Sequence, residues 1–210
     1  MTTAYIKTGI KFCFFDKLCS ILISFYLVRT RISNIIFKSS QIQADSQGDG
    51  IILDEENTLA IIKTADCIPL FFWEPGCSFA GILHIGWRGF HMGIQNSLFQ
   101  HIKEMGLTQK NMRFIMGPAI EGSCYEVGGD LYEKFARHTH RGLVFASLAN
   151  GKYHLNLAKG ISLSLQAQGI KKNNIININI CTKCNWRNFP SYRKNGKTGE
   201  RIFNFLMVNK

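Results

Sequence analysis

Three apolar runs of six residues, 58–63, 68–73 and 79–84, follow one another within a stretch of twenty-seven residues. Glu74-Pro75-Gly76 punctuates the second and third with turn chemistry. Runs of this length bounded by turn residues read as strands with both faces buried. Such a sheet needs a covering layer on each side, which excludes an extended or single-layer architecture. Farther along, Ile94, Leu98, Ile102 and Met105 fall at helical spacing, and Gly106 is placed to close that helix in the left-handed conformation. Residues 113–116 read as a strand ending at Gly117-Pro118, and 130–138 as a helix with Asp130 at its start. Leu157, Ile161 and Leu165 mark another helix, capped by Gly169. Ile176, Ile178 and Ile180 alternate with asparagines, as in a strand with one wet face, and residues 202–208 form a last apolar strand. Helices and strands are mixed along the chain without an obvious domain boundary, so the class is α/β or α+β.

Composition narrows the function classes. The chain has 210 residues, 46% hydrophobic and 19% charged, enough for a sizeable core and unlike a disordered tail. Nineteen glycines against four prolines, with no tandem period, exclude solenoid and collagen-like repeats. Seven cysteines in a chain this rich in core predict reduced thiols and a cytoplasmic protein. The longest apolar run, 18–28, has eleven residues where a membrane span needs about twenty, so no membrane partner is expected. The net charge of +11 is concentrated at the end: residues 171–210 carry nine basic side chains and one acidic, while 49–170 carry ten and eleven. That basic end lacks a recognisable RNA-binding motif, so anionic small ligands are the expected partners rather than nucleic acid.

The chemistry concentrates in the middle. Thr64-Ala65-Asp66-Cys67 ends one apolar run, and seventeen residues after Cys67 comes His84, opening His84-Ile85-Gly86-Trp87-Arg88-Gly89. The two glycines allow a tight loop with close backbone approach. A thiol and an imidazole at adjacent strand ends can share a zinc ion with a position left for substrate. They can also form a nucleophile and base, with Asp66 or another carboxylate orienting the imidazole, or be a buried Cys and a hydrogen-bonded core His. Arg88, in a glycine-flanked loop beside His84, suits an anion because its fork matches phosphate or carboxylate. Gly117-Pro118-Ala119-Ile120 leads to Cys124-Tyr125-Glu126-Val127-Gly128, where Tyr125 and Glu126 are candidates to contact a ligand. Cys181-Thr182-Lys183-Cys184 is a CxxC without a second pair, so a zinc ribbon is not expected there. Pro190-Ser191-Tyr192-Arg193 and Gly199-Glu200-Arg201 could face a phosphate or coat a solvated rim.

Taken in order, these blocks resemble the laccase-domain proteins known as polyphenol oxidases or purine nucleoside phosphorylases. The resemblance rests on TADC-x-P at 64–69, HxGWRG at 84–89, GPAI at 117–120, CYEVG at 124–128, CT at 181–182 and SYR at 191–193. It covers roughly residues 49–208, leaving 1–48 as a divergent, shortened start of the same domain. The fold it implies is an α+β single domain, with two mixed sheets packed face to face and helices outside, in an α/β/β/α arrangement. It makes Cys67 and His84 zinc ligands, with one further histidine upstream. No histidine precedes His84 in this chain, and the matching segment near residues 29–32 reads Arg29-Thr30-Arg31-Ile32. Gly199-Glu200-Arg201 also separates a Gly and Arg that the family keeps adjacent.

The activity implied is phosphorolysis of adenosine, inosine, guanosine and methylthioadenosine, with adenosine deamination associated. Cys67, His84 and Arg88 would be catalytic, and Arg88, Tyr125 and Glu126 would bind substrate. The partners are then a purine nucleoside and phosphate, with the chain a monomer or weak homodimer. Zinc is favoured over copper, since multicopper oxidation needs about ten imidazoles and the chain has six histidines. The alternatives are a Cys/His hydrolase acting on peptidoglycan precursors, or a family member impaired by the missing upstream ligand.

Overall fold

The computed structural model describes residues 33–43, 45–55, 58–76, 78–196 and 199–208, together with the backbone of three earlier strands. Those strands are β1 (Thr2–Tyr5), β2 (Ile10–Phe15) and β3 (Phe25–Leu27). The remainder of the run at 18–28 and the segment at 29–32 lie outside the described residues. Next come β4 (Ile36–Lys38), β5 (Gly50–Leu53), β6 (Leu59–Thr64), β7 (Ile68–Trp73) and β8 (Ala80–Ile85). Two helices, α1 (Trp87–His91) and α2 (Ile94–Glu104), lead to β9 (Arg113–Met116) and β10 (Glu126–Gly128). Short α3 (Gly129–Lys134) and α4 (Arg141–Val144) precede β11 (Phe145–Ser147) and β12 (Lys152–Leu155). Helix α5 (Leu157–Ala167), β13 (Ile175–Asn177) and β14 (Ile202–Val208) complete the order.

Two mixed sheets carry the fold. One runs β1-β2-β14-β6-β3, and the other β13-β9-β7-β8-β5-β4. Strands 68–73 and 80–85 are central in the six-stranded sheet and flanked on both sides, which explains why they read as unbroken apolar runs. A core of Ile51, Ile62, Phe71, Trp73, Ile82 and Leu206 fills the space between the two sheets. The other face of the six-stranded sheet packs Leu70, Phe72 and Leu83 against Ile94, Leu98 and Ile102 of α2 and Ile161 and Leu165 of α5. The expected mixed class and face-to-face sheets are thus present. A small third sheet, β10-β12-β11, is an addition that the sequence pattern did not announce.

The local signals have visible causes. Gly106 and Gly169 take φ of 67° and 85° just past α2 and α5, as their placement predicted. Asn156 caps α5, its side chain accepting from the Lys159 amide at 2.9 Å. Two expectations need correction. The helix expected over 130–138 stops at Lys134, where Phe135, Ala136 and His138 turn back with bonds spanning three residues. The strand expected from 176 to 180 is cut to 175–177 because Asn179 adopts φ 57° and its amide donates to the Asn177 side chain at 3.2 Å.

Candidate active site

The site is built at the rim of the sandwich where β6 and β8 end and β7 begins. Thr64 ends β6, and the chain turns through Ala65, Asp66 and Cys67 before β7 begins at Ile68. Asp66 sits in the left-handed region, φ 77°, a conformation that costs a residue with a Cβ about 1–2 kcal/mol. Its carboxylate recovers that cost: Oδ1 accepts from Thr182 Oγ1 at 2.6 Å and Oδ2 from the Arg193 amide at 2.8 Å. Asp66 thereby ties the CT and SYR segments, distant in sequence, to the turn that presents Cys67. It is not the partner of His84, contrary to the expectation that named it first.

That partner is Asp49, one residue before β5. His84 Nδ1 donates to Asp49 Oδ1 at 2.7 Å, and Asp49 Oδ2 accepts from the Ser33 amide at 2.6 Å and Ser33 Oγ at 2.7 Å. Asp49 is 1% exposed, so all of its acceptor capacity is spent inside the protein. Fixing Nδ1 as the donor leaves Nε2 as the reactive nitrogen, and Cys67 lies within hydrogen-bond reach of that ring. Burial alone would drive the imidazole towards neutrality, but the Cys67 sulfur and the Asp49 carboxylate raise its pKa to about 10. Gly86 keeps this corner narrow: a Cβ there would stand 3.0 Å from Cys67 Sγ.

Around the pair opens a cavity of about 550 Å³, lined among others by Lys63, Arg88, Tyr125, Tyr192, Arg193 and Arg201. The Arg88 guanidinium stacks 4.3 Å from the Trp87 ring centroid, and that of Arg193 lies 5.1 Å from the Tyr125 ring. Burial holds the pKa of the Tyr125 phenol well above its ordinary value, so the group stays neutral. Of the residues singled out by sequence, Cys67, His84, Arg88 and Tyr125 share this cavity. Glu126 does not line it: the exposed carboxylate pairs with Lys152 Nζ at 2.7 Å. Tyr125 immediately precedes β10 and Glu126 begins it, and neighbouring residues of an extended chain face opposite ways. Lys63 and Asp49 escaped the sequence reading. A lone carboxylate directly before an all-apolar strand was the available signal for Asp49.

The donor set suits zinc. A borderline-soft thiol and an imidazole whose far nitrogen is held by a buried carboxylate are a frequent zinc-ligand pairing. The buried Asp49 carboxylate 2.7 Å from His84 Nδ1 also supplies negative charge that a bound cation would meet at this corner. Among the described residues, no third His, Cys, Asp or Glu lies close enough to complete a three-ligand set with Cys67 and His84. Elsewhere, Cys124, Cys181 and Cys184 do form such a group. No helix among the described residues is long and apolar enough to cross a membrane.

Comparison with known proteins finds relatives over most of the chain. A purine nucleoside phosphorylase of Clostridium acetobutylicum is 30% identical over 185 residues, 87% of this chain and 75% of that protein. Adenosine deaminase RL5, from an unknown prokaryotic organism, is 28% identical over 74% of this chain and 60% of its own length. The chain thus spans between three fifths and three quarters of these relatives. The crystal structure of the hypothetical protein YfiH of Bacillus licheniformis superposes with a TM-score of 0.81 at 25% identity, covering 88% of this chain and 74% of that one. The family model of multi-copper polyphenol oxidoreductase laccases matches residues 27–209. With Cys67, His84 and the arginine-rich cavity at the rim shared by β6, β7 and β8, the chain belongs to that laccase-like family.

Proposed function

We propose that this protein cleaves purine nucleosides by phosphorolysis at the Cys67–His84 cavity. One observation carries the reading: a thiol–imidazole pair opens onto a cavity whose walls supply Lys63, Arg88, Arg193 and Arg201 as well as aromatic surface. The cations suit a phosphate, and Trp87, Tyr125 and Tyr192 suit a purine and its ribose. The family relative named a purine nucleoside phosphorylase supports the choice of reaction.

The chain's own residues would divide the work as follows. Arg88, braced on Trp87, presents its planar fork to two phosphate oxygens. Arg193, held through its amide by Asp66, adds a second positive charge to the same cavity. Phosphate so placed stands against the anomeric carbon as the ribose gains positive charge, while the neutral Tyr125 phenol donates a hydrogen bond to base or sugar. Zinc, held by Cys67 and His84, would supply Lewis-acid polarisation of a substrate oxygen. Asp49 keeps the His84 ring in the orientation and tautomer that leave Nε2 facing the cavity.

The test is base release from adenosine and inosine with and without phosphate. Release that requires phosphate and yields ribose 1-phosphate is the expected result. The alignment Asp49–His84–Cys67 is also that of a thiol hydrolase. Cleavage of an acyl or amide substrate, blocked by thiol alkylation, would establish that second reading, and release of base at equal rate without phosphate would overturn phosphorolysis in favour of glycosidic hydrolysis. Arg88→Ala is expected to raise the KM for phosphate at least about tenfold, with Lys a poor replacement because it lacks the fork. An unchanged KM would remove Arg88 from the phosphate site.

A further inference from the structure

We propose that Cys124, Cys181 and Cys184 bind a zinc ion at a second site, with ligands separate from Cys67 and His84. The three sulfurs lie within 4.8 Å of one another, and Cys124 Sγ is 3.3 Å from Cys184 Sγ. Tetrahedral zinc with Zn–S bonds of about 2.3 Å places its sulfurs about 3.8 Å apart, so only small side-chain adjustments seat the ion. A disulfide between Cys124 and Cys184 would need the sulfurs to close to about 2.05 Å and would strand the third thiol. Three converging thiols fit a cation better than they fit a pairwise bond.

The backbone builds the site from two segments some sixty residues apart. Ala119 bridges to Cys181, with the Ala119 amide donating to Ile180 O at 3.1 Å and the Thr182 amide to Ala119 O at 3.0 Å. The turn after Cys181 is closed from Asn185, whose amide and side chain both donate to Cys181 O, at 3.0 and 2.8 Å. That turn brings Cys184 back beside Cys181. Cys124 arrives at the end of a 3₁₀ turn, Gly122–Cys124, and Lys183 Nζ clips its carbonyl at 3.3 Å. Cys181 is buried, Cys124 half-buried and Cys184 exposed, so the ion enters from solvent and keeps a water in its fourth position. Each Zn–S bond forms as a thiol releases its proton to solvent. The consequence reaches the cavity, because Tyr125 follows Cys124 directly and Thr182 holds Asp66. An ion here fastens two cavity walls together.

The experiment uses the full chain, reduced with a phosphine, freed of metal and titrated with cobalt(II) and then zinc(II). The background is Cys67→Ser, so that Cys67 contributes no thiolate. A saturable thiolate-to-cobalt charge-transfer band in the near ultraviolet, displaced by zinc, is expected. Adding Cys124→Ser or Cys184→Ser should weaken cobalt binding about tenfold or more. No band in the Cys67→Ser protein, or a band indifferent to both further substitutions, overturns the proposal. Should a variant not fold, the unaltered protein still decides: zinc should slow alkylation of Cys184 about tenfold by peptide mass spectrometry, and equal labelling with and without zinc counts against the site. Neither readout depends on phosphorolysis, so failure here leaves the function proposal standing.

Discussion

At the residue scale, two aspartates separated in sequence by β5 and β6 do different jobs. Asp49 is buried with three donors aimed at it, from Ser33 and His84, and its effect on the site runs through the imidazole it orients. Asp49→Asn keeps the shape and removes the charge, so turnover and zinc affinity are expected to fall about 10–100-fold; paired kinetics and metal titration check this, and a loss of stability alone would leave Asp49 merely structural. Asp66 works through its backbone as well as its carboxylate. Gly at position 66 tolerates φ 77°, whereas Ala does not, so Asp66→Ala should be less stable than Asp66→Gly by about 1 kcal/mol in denaturant unfolding. Equal stabilities would mean that the turn relaxes out of the left-handed region.

At the element scale, β8 carries His84 to the rim, and its ability to sit between β5 and β7 depends on Gly81. A Cβ at that position would overlap the Ile51 carbonyl and the Phe72 ring. Gly81→Ala should therefore cost about 2 kcal/mol or more, measured by unfolding or by loss of soluble protein. The segment after α3 offers a pH test. His138 packs tilted against Phe90 and Phe135, with ring centroids 4.8 and 5.3 Å apart, and its buried Nδ1 finds no hydrogen-bond partner. Burial, with His140 and His91 nearby, lowers its pKa below the ordinary 6.5. The unfolded chain thus binds this proton more readily, and stability falls as pH drops through about 6.5 towards the folded value. His138→Leu should flatten that decline between about pH 7 and 5.5 relative to the unaltered protein in thermal melts. A parallel pair of curves would show that other groups carry the acid sensitivity.

At the scale of the whole molecule, the last strand is central rather than terminal in its role. β14 pairs antiparallel with β2 on one side and β6 on the other, and it places Leu206 in the core between the sheets. A chain ending at Arg201 would leave β6 unpaired along that edge, and it is expected to lose cooperative unfolding altogether. Among the described residues of the final forty, Arg193 and Arg201 line the cavity while Lys171, Lys172 and Arg187 are exposed. Association with mixed RNA at physiological salt is accordingly expected to remain no tighter than about 10⁻⁶ M, the range of non-specific electrostatics. Submicromolar binding in a filter or polarisation assay would contradict that expectation.

What the chain's one-dimensional pattern determined was local. Burial on both faces of β7 and β8 shows in unbroken apolar runs, the ends of α2 and α5 in Gly106 and Gly169, and the chemistry of the rim in Cys67, His84 and Arg88. These follow from side-chain volume, backbone freedom and donor type, which each residue carries with it wherever it is placed. Tertiary structure alone decided which groups meet. Spacing along the chain cannot show that Asp49 rather than Asp66 takes His84, that Glu126 turns outward to Lys152, or that Cys124 completes a group with Cys181 and Cys184. Those pairings join segments between 26 and 60 residues apart. They exist because strand register and loop crossings bring distant atoms within 2.7–3.3 Å, a property of the packed sheets and not of any single stretch of sequence.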